Sequence, residues 1–256
     1  MLNWLYESAA VTDAEVRKLR RDPTELLSRA VQPVLWLAVF GQVFSHVRGI
    51  PTGNLRYLDY MAPGILAQSI LFSAIFYGIA IIWERDLGIV HKLLVTPARR
   101  SALVFGKAVA AGLRGLVQAA VVYLVAIALH VAIRWEPLPM ITVAAAVFVG
   151  SCIFSTFSLV IACIVKTRER FMGIGQLLTM PLFFASNAIY PLDIMPDWLR
   201  GIAAFNPLTY LVDALRGAMI VGGHSVYGDA TSFGIMLLIF LLLLALAAKL
   251  YPGLAR

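Results

Sequence analysis

The chain has 256 residues, of which 61% are hydrophobic and only 14% are charged, and its mean hydropathy is +0.84. Charged residues make up about a quarter of an ordinary globular protein, so this composition excludes a water-soluble domain and predicts a protein embedded in lipid. The net charge of +7 suits cytoplasmic membrane loops and anionic headgroups.

Residues 1–29 precede the first uncharged stretch and predict an amphipathic helix at the membrane interface. Its apolar side chains recur at helical spacing at Leu2, Leu5, Ala9, Val16 and Leu19. Charged residues occupy other positions around the helix, and Asp22-Pro23 ends it before the chain turns into the membrane. A frayed cytoplasmic tail is the alternative interpretation.

Six uncharged stretches have roughly the length that a bilayer requires, and they are hydrophobic on all sides. They cover residues 30–47, 60–83, 115–133, 137–165, 171–192 and 230–248. The third span begins ahead of Arg114, near Leu103. The predicted fold class is therefore all-α, a polytopic integral membrane protein with six transmembrane helices in one domain over residues 1–256.

Lysine and arginine collect in alternate connections: before the first span, between the second and third, between the fourth and fifth, and after the sixth. The positive-inside rule places these connections and both termini in the cytoplasm, with the chain in the cell (inner) membrane. The basic residues are spread over short loops and form no continuous basic domain, which argues against nucleic acid as a partner.

Residues 84–102 form an unusually long cytoplasmic connection. Three charges, Glu84, Arg85 and Asp86, stand at the membrane exit. Apolar residues then recur at helical spacing until a proline ends the pattern: Leu87, Val90, Leu93, Leu94 and Pro97. This short amphipathic helix offers a surface for docking another cytoplasmic protein, although a helix lying on the headgroups is the alternative.

Arg114 is the clearest ionisable side chain within a predicted span. Placing a charge at the bilayer centre costs about 2.5 to 3.5 kcal/mol on insertion scales, so this arginine requires a partner or an aqueous exit. We expect it to snorkel toward the cytoplasmic border, which Lys107 marks about two turns earlier. A wet translocation path is the alternative.

Residues 191–217 follow the fifth span and predict short, broken, partly embedded helices. Pro191, Pro196 and Pro207 prohibit one continuous helix, yet the segment is too apolar for a solvated loop. Asp213 and Arg216 stand at positions i and i+3 and can pair on one face. Mutual neutralisation of these two charges and contact with a substrate are both open.

Several motifs are missing from the sequence. It contains no phosphate-binding loop of the G-x-x-x-x-G-K-[ST] type, so the chain is not expected to hydrolyse ATP. Its histidines show no metal-ligand spacing, and no run of intramembrane carboxylates suggests a proton relay. These absences disfavour an ion-coupled pump and a metal-dependent lipid enzyme.

The sequence resembles the membrane subunit of an ABC type-2 exporter over essentially its whole length. The similarity lies in ERDLG at 84–88, KLLVTP at 92–97, Gly106-Lys107, NPLTY at 206–210 and DALR at 213–216. It is nearest to the daunorubicin-resistance and nodulation lipo-oligosaccharide export permeases. The resemblance implies outward movement of an amphipathic drug, a lipid-linked molecule or a glycan.

The resemblance also implies a second copy of the chain and two copies of a separately encoded nucleotide-binding subunit, which would bind the ATP and Mg. This chain would bind no cofactor or metal and perform no catalysis, and membrane lipids would surround it. An ion-coupled secondary carrier, or a channel without an ATPase, is the alternative, and a membrane-embedded transferase is a third.

By resemblance, ATPase coupling falls to Glu84, Arg85, Asp86, Leu87, Val90, Leu93, Leu94 and Pro97. Outer re-entrant helices with a gating role correspond to residues 191–217, with Pro191, Pro196, Asn206, Pro207, Tyr210, Asp213 and Arg216. Side chains that could line a path are Arg114, Phe76, Tyr77, Phe183 and Phe184, although ordinary helix packing explains any single ring equally well.

Overall fold

Helices account for nearly all of the chain that the computed structural model describes, which comprises residues 2–21, 31–45, 53, 55–96, 98–165 and 167–255. In chain order, the helices are α1 (Leu2–Arg21), α2 (Val31–Phe44), α3 (Tyr57–Asp86), α4 (Ile89–Val95), α5 (Arg100–Ala128), α6 (Pro137–Ile164), α7 (Arg168–Phe184), α8 (Asp197–Phe205), α9 (Pro207–Met219) and α10 (Asp229–Leu250). Within these residues no β-strand forms, which confirms the all-α prediction.

Four helices are long and apolar enough to cross a membrane: α3, α5, α6 and α10. They correspond to the second, third, fourth and sixth predicted spans. The first predicted span corresponds to α2, a shorter apolar helix with a π-helical stretch at Trp36–Gly41. The fifth corresponds to α7, which has 17 residues. A total of six crossings therefore stays a prediction.

Helix α6 is the centre of the bundle, because α3, α5, α9 and α10 all pack against it. Its buried surface is rich in small residues, including Gly150, Ser151 and Ser155, which let neighbouring helices approach closely. Ser155 and Thr156 donate their hydroxyl hydrogens to the carbonyl oxygen of Cys152 within the same helix. The hydroxyl groups of these side chains are therefore hydrogen-bonded within their own helix, although they lie in the apolar interior.

The bundle has two chemically distinct ends. One end, here called the α1 end, contains α1, α4 and the turn between α6 and α7. The other, here called the opposite end, contains the loop 129–136 and residues 185–228. A single antiparallel bridge between Ile133 and Ile220 joins two loops of the opposite end. The long helices run between these ends, so a change at one end reaches the other only through them.

Helix α1 packs along the first half of α5. Thr12 Oγ1 donates to the carbonyl oxygen of Gly106 at 3.0 Å, and Trp4 Nε1 donates to Ser101 Oγ at 3.1 Å. The buried face of α1 is polar, with Ser8 almost fully enclosed, whereas Leu5 on the predicted apolar stripe is 54% exposed. The sequence thus predicted the helix, but it did not predict that the face with Ser8 packs against the protein.

The broken segment at the opposite end follows its prolines. Pro191 precedes a short 3-10 turn at Leu192–Ile194, Pro196 precedes α8, and Pro207 is the first residue of α9. Each proline stands where a backbone N–H is not required, at the start of a helical element. The predicted interruption of the helix is confirmed, while its insertion into the membrane as a re-entrant pair stays a prediction.

Gly106 sets the distance between α1 and α5, so enlarging it tests their packing. A Cβ at this position would lie 2.6 Å from the carbonyl oxygen of Ser8. We expect Gly106→Ala to lower the free energy of unfolding by about 1–3 kcal/mol, the usual cost of overpacking, in denaturation of the purified chain in detergent. The control is Gly173→Ala in α7, where a Cβ would meet no atom within 4 Å.

Candidate coupling site

A cluster of charged side chains joins α1, α3 and α5 at the α1 end. It consists of Glu15 and Lys18 from α1, Glu84 from the last turn of α3, and Lys107 and Arg114 from α5. Lys107 Nζ lies 3.0 Å from Glu15 Oε1 and 2.7 Å from Glu84 Oε2, so one ammonium group bridges two carboxylates. These five residues are called the charge cluster below.

Two further cations complete the charge cluster. Arg114 Nη2 lies 3.2 Å from Glu15 Oε2. Lys18 binds Glu15 at 3.2 Å and also binds Glu84. The Lys107 side chain is only 3% exposed, whereas that of Lys18 is half-exposed at the edge. Because a buried charge without a partner is costly, this arrangement fixes the positions of the three helices relative to one another.

Tyr77 of α3 holds the inner side of the charge cluster. Its hydroxyl group donates to the carbonyl oxygen of Lys107 at 3.1 Å, and its ring centroid lies 5.2 Å from the Arg114 guanidinium carbon. A cation over an aromatic ring is attracted to the electron-rich face. Tyr77 thus links α3 to α5 at a point about two helical turns before Glu84.

The charge cluster explains how Arg114 is accommodated. We expected this side chain to snorkel to the membrane border or to line a wet path. Its guanidinium shares the carboxylate of Glu15 with Lys107, so a carboxylate on α1 balances its charge. Sequence reasoning missed Glu15, Lys18 and Lys107 as functional residues, although the unmet charge of Arg114 already required a partner.

The connection at 84–102 departs from the expected exposure of its apolar residues. Helix α3 continues through Asp86, the chain turns at Gly88 with φ of 72°, and α4 follows. Val90 is fully buried in the protein's own core, and Leu93 and Leu94 are partly buried against it. These three side chains therefore hold α4 against the bundle.

The exposed tip of the connection consists of other apolar side chains. Leu87 is 68% exposed and Val95 is 87% exposed, with Ile89 also open to the surroundings. His91 and Lys92 lie exposed between them. Pro97, the predicted helix stop, lies outside the described residues, and α4 ends at Val95.

Asp86 ties the base of the connection to α7. Its Oδ2 lies 2.7 Å from Arg168 Nη2, and its Oδ1 lies 2.8 Å from Arg85 Nη2. The guanidinium carbon of Arg168 also lies 3.7 Å from the centroid of the Trp83 ring. The three charges predicted at the membrane exit are therefore all engaged within the chain, with Glu84 in the charge cluster.

Asn206 organises the predicted gate segment at the opposite end. Its Oδ1 accepts from the backbone N–H of Leu208 at 3.0 Å and so caps α9. Its Nδ2 donates to the carbonyl oxygens of Leu182 and Ala185, at 2.7 and 2.8 Å, at the end of α7. Tyr210 donates its hydroxyl hydrogen to the carbonyl oxygen of Ala204. One asparagine thus joins α7 and α9.

Asp213 and Arg216 do not form the predicted ion pair within the part of the chain that the structure describes. The Asp213 carboxylate accepts hydrogen bonds from the loop and from α10, and its donors are Ser225 Oγ, Val226 N, Tyr227 N and Ser232 Oγ. Arg216 Nη2 donates instead to the carbonyl oxygen of Asn187 at 2.6 Å. The Asp213 carboxylate therefore binds backbone N–H groups of an adjacent loop in place of Arg216 on its own helix.

Within one copy of the chain, the side chains predicted to line a path lie in different parts of the bundle, and their role stays a prediction. Phe76 and Phe184 are each 44% exposed on the outside of the bundle, whereas Tyr77 and Phe183 are buried in separate parts of the core. Tyr77 and Arg114 share a cavity, and its volume of about 20 Å³ suits one water molecule. A drug-sized ligand requires roughly 300 Å³ or more.

Long apolar helices around α6, with broken helices at one end, define a polytopic membrane protein. Comparison with family models places this chain in the ABC-2 type transporter family, whose model matches residues 6–220. The chain belongs to that family and is a membrane transport permease. The matched range runs from α1 to the end of α9 and includes the charge cluster and the connection, so the resemblance found in the sequence is confirmed.

Individual relatives agree with this assignment. The chain is 30% identical over 203 residues to the transport permease ycf38 of Cyanophora paradoxa, covering 78% of this chain and 69% of that protein. It is 25% identical to nodulation protein J of Rhizobium leguminosarum bv. trifolii, covering 78% and 75%. It is 22% identical to the inner membrane transport permease YadH of Escherichia coli K12, covering 80% of each.

Removing the central cation tests the charge cluster. Lys107→Met removes the buried one of the two ammonium groups that Glu15 and Glu84 share and leaves only the half-exposed Lys18 between them, so we expect the free energy of unfolding to fall by about 3–5 kcal/mol. Denaturation of the purified chain in detergent measures the change. Arg17→Met is the control, because its ion pair with Asp13 is exposed and is worth at most about 1 kcal/mol. Equal losses in the two variants would contradict a special role for Lys107.

The pH dependence of stability tests Glu15. Burial raises its pKa, but Lys107, Lys18 and Arg114 outweigh burial and hold the pKa at about 2, below the ordinary 4.5. The stability that ionised Glu15 contributes is therefore complete above about pH 4.5 and is lost as pH falls toward 2. The difference in melting temperature between the natural chain and Glu15→Gln should stay constant from pH 5 to 8 and shrink below that range.

Proposed function

We propose that this permease is the membrane subunit of an ATP-driven exporter whose ATP and Mg are bound by a separately encoded nucleotide-binding subunit, present in two copies. The observation that carries the proposal is the connection at 84–102. Its apolar tip is exposed, while its base is clamped to other helices by Glu84 and Asp86. An exposed apolar tip on a rigid base suits docking of a protein partner.

The proposed orientation places the α1 end and both termini in the cytoplasm. Lysine and arginine are concentrated in the connections of that end, as the positive-inside rule requires. A nucleotide-binding subunit is a soluble protein that needs ATP, so the surface that meets it must face the cytoplasm. The opposite end, with α8 and α9, would then face outward and could act as the gate.

Force from the partner would enter through α4 and reach three helices together. Val90 seats α4 in the core formed with α3 and α5, and Lys107 binds both Glu84 and Glu15. The nucleotide-binding subunits would have one arrangement for each of the inward and outward states of the permease. ATP can shift the equilibrium between these states only as far as it binds one arrangement of the subunits more tightly than the other. A rigid link from α4 to α1, α3 and α5 would convert that difference into a tilt of the membrane helices.

The path for the cargo would lie between two copies of the chain. Among the cavities lined by described residues, the one beside Tyr77 and Arg114 is far too small for an exported molecule. A path bounded by two subunits and by lipid would suit an amphipathic drug, a lipid-linked molecule or a glycan.

The exposed tip of the connection provides the test. Val95→Asp places a charge on the surface proposed to meet the ATPase, so we expect at least a tenfold loss of ATP-dependent export by the reconstituted complex. Val95 is 87% exposed, so folding of the chain should be unchanged. Val221→Asp is the control, because Val221 is 55% exposed at the opposite end.

Two outcomes would contradict the proposal. Full export by the Val95→Asp complex would remove the connection from the docking surface. Uphill transport by the chain alone, driven by an ion gradient without a nucleotide-binding subunit, would favour the secondary carrier instead.

A further inference from the structure

A second cavity lies at the opposite end, between the first turn of α3, the turn that follows α7, and α9. Its volume is about 360 Å³, well above that of the cavity at Tyr77. The polar side chains that line it are Tyr60, Asn187, Asp193, Arg216 and His224. Neither the family match nor the coupling proposal assigns a role to this cavity.

The inner wall of the cavity carries polar groups without partners. Arg216 is 5% exposed and Asn187 is 1% exposed. Among the described residues, Arg216 Nε and both polar atoms of the Asn187 side chain have no hydrogen-bond partner. These three atoms are enclosed by the protein, so a ligand in the cavity would meet the Arg216 guanidinium through its other nitrogens.

Neighbouring contacts hold Arg216 in position for binding. Its guanidinium carbon lies 3.8 Å from the centroid of the Tyr60 ring, and its Nη2 donates to the Asn187 carbonyl oxygen at 2.6 Å. Asp213 does not neutralise it directly, because that carboxylate is occupied by the 225–232 loop and helix. Among the described residues no carboxylate forms an ion pair with Arg216, so its guanidinium is a buried cation at the cavity wall that suits an anionic group.

The mouth of the cavity has the opposite charge. Asp193 is exposed there, beside the exposed His224. A buried cation at the base and a carboxylate at the rim favour a ligand that has a negative group at one end and a positive group at the other. A ligand with negative charge alone would be repelled by Asp193 on entry.

The cavity lies level with the ends of the long helices. Tyr60 is in the first turn of α3. Helix α5 ends at the opposite end of the bundle, and α6 and α10 begin there. The ends of membrane-spanning helices coincide with the boundary between hydrocarbon and headgroups, where tyrosines are also enriched.

We propose that this cavity binds a phosphoethanolamine group, with the phosphate on the Arg216 guanidinium and the ammonium on Asp193. The primary ammonium donates hydrogen bonds that a quaternary choline cannot donate, so choline headgroups bind less tightly. The group is that of a membrane phospholipid or of soluble phosphoethanolamine, since both present the same atoms. The proposal is independent of ATP coupling, because it requires no nucleotide-binding subunit.

Binding to the purified full-length chain in detergent tests the proposal. Native mass spectrometry with short-chain phosphatidylethanolamine, phosphatidylcholine and phosphatidylglycerol should show about tenfold tighter binding of phosphatidylethanolamine. Asp193→Asn should abolish that preference and strengthen phosphatidylglycerol binding, because the rim charge is lost. Asp193 is exposed, so this variant should fold normally. Arg216→Gln should weaken all three lipids.

Asp197→Asn is the control, since Asp197 is fully exposed at the start of α8 and does not line the cavity. Free phosphoethanolamine is titrated in parallel. Its binding with the same dependence on Asp193 supports the proposal and assigns the site to a soluble ligand. Equal retention of the three lipids, unchanged by Asp193→Asn, would overturn the proposal and indicate only nonspecific lipid around the bundle.

Discussion

The structure depends on one buried ammonium group. Lys107 holds Glu15 and Glu84 at once, and through them it joins a helix outside the predicted spans to two helices long enough to cross the membrane. These groups are buried in the protein and largely shielded from water, so each carboxylate must stay with its cations. The position of α1 against α5, the end of α3 and the base of the connection are all set by this requirement.

The two ends of the bundle use different chemistry, and the difference fits different tasks. Ion pairs fasten the α1 end, where the proposed mechanism requires movement of α4 to be shared among several helices. At the opposite end, Asn206 and Asp213 instead satisfy backbone N–H and C=O groups exposed by the broken helices. Such caps hold the short helices in place, and the proposed gate would have to open with these contacts kept or exchanged.

Local patterns in the sequence predicted most elements of the fold. Long uncharged stretches predicted α3, α5, α6 and α10, and the spacing of prolines predicted the breaks around α8 and α9. The charge cluster could not be predicted, because Glu15 and Lys107 are 92 positions apart and only tertiary packing brings them together. The predicted pairing of Asp213 with Arg216 was wrong for a related reason. Spacing along a helix cannot show that residues 225–227 will donate hydrogen bonds to the Asp213 carboxylate.

The distance between α1 and α4 during the ATP cycle tests the central claim most directly. Spin labels at the exposed positions of Ala10 and His91, in a chain without Cys152 and Cys163, would report it in the complete complex by double electron–electron resonance. If the charge cluster makes these elements one body, the distance stays the same with and without ATP and becomes broadly distributed in Lys107→Met. A change in that distance on ATP binding, with Lys107 intact, would contradict the account.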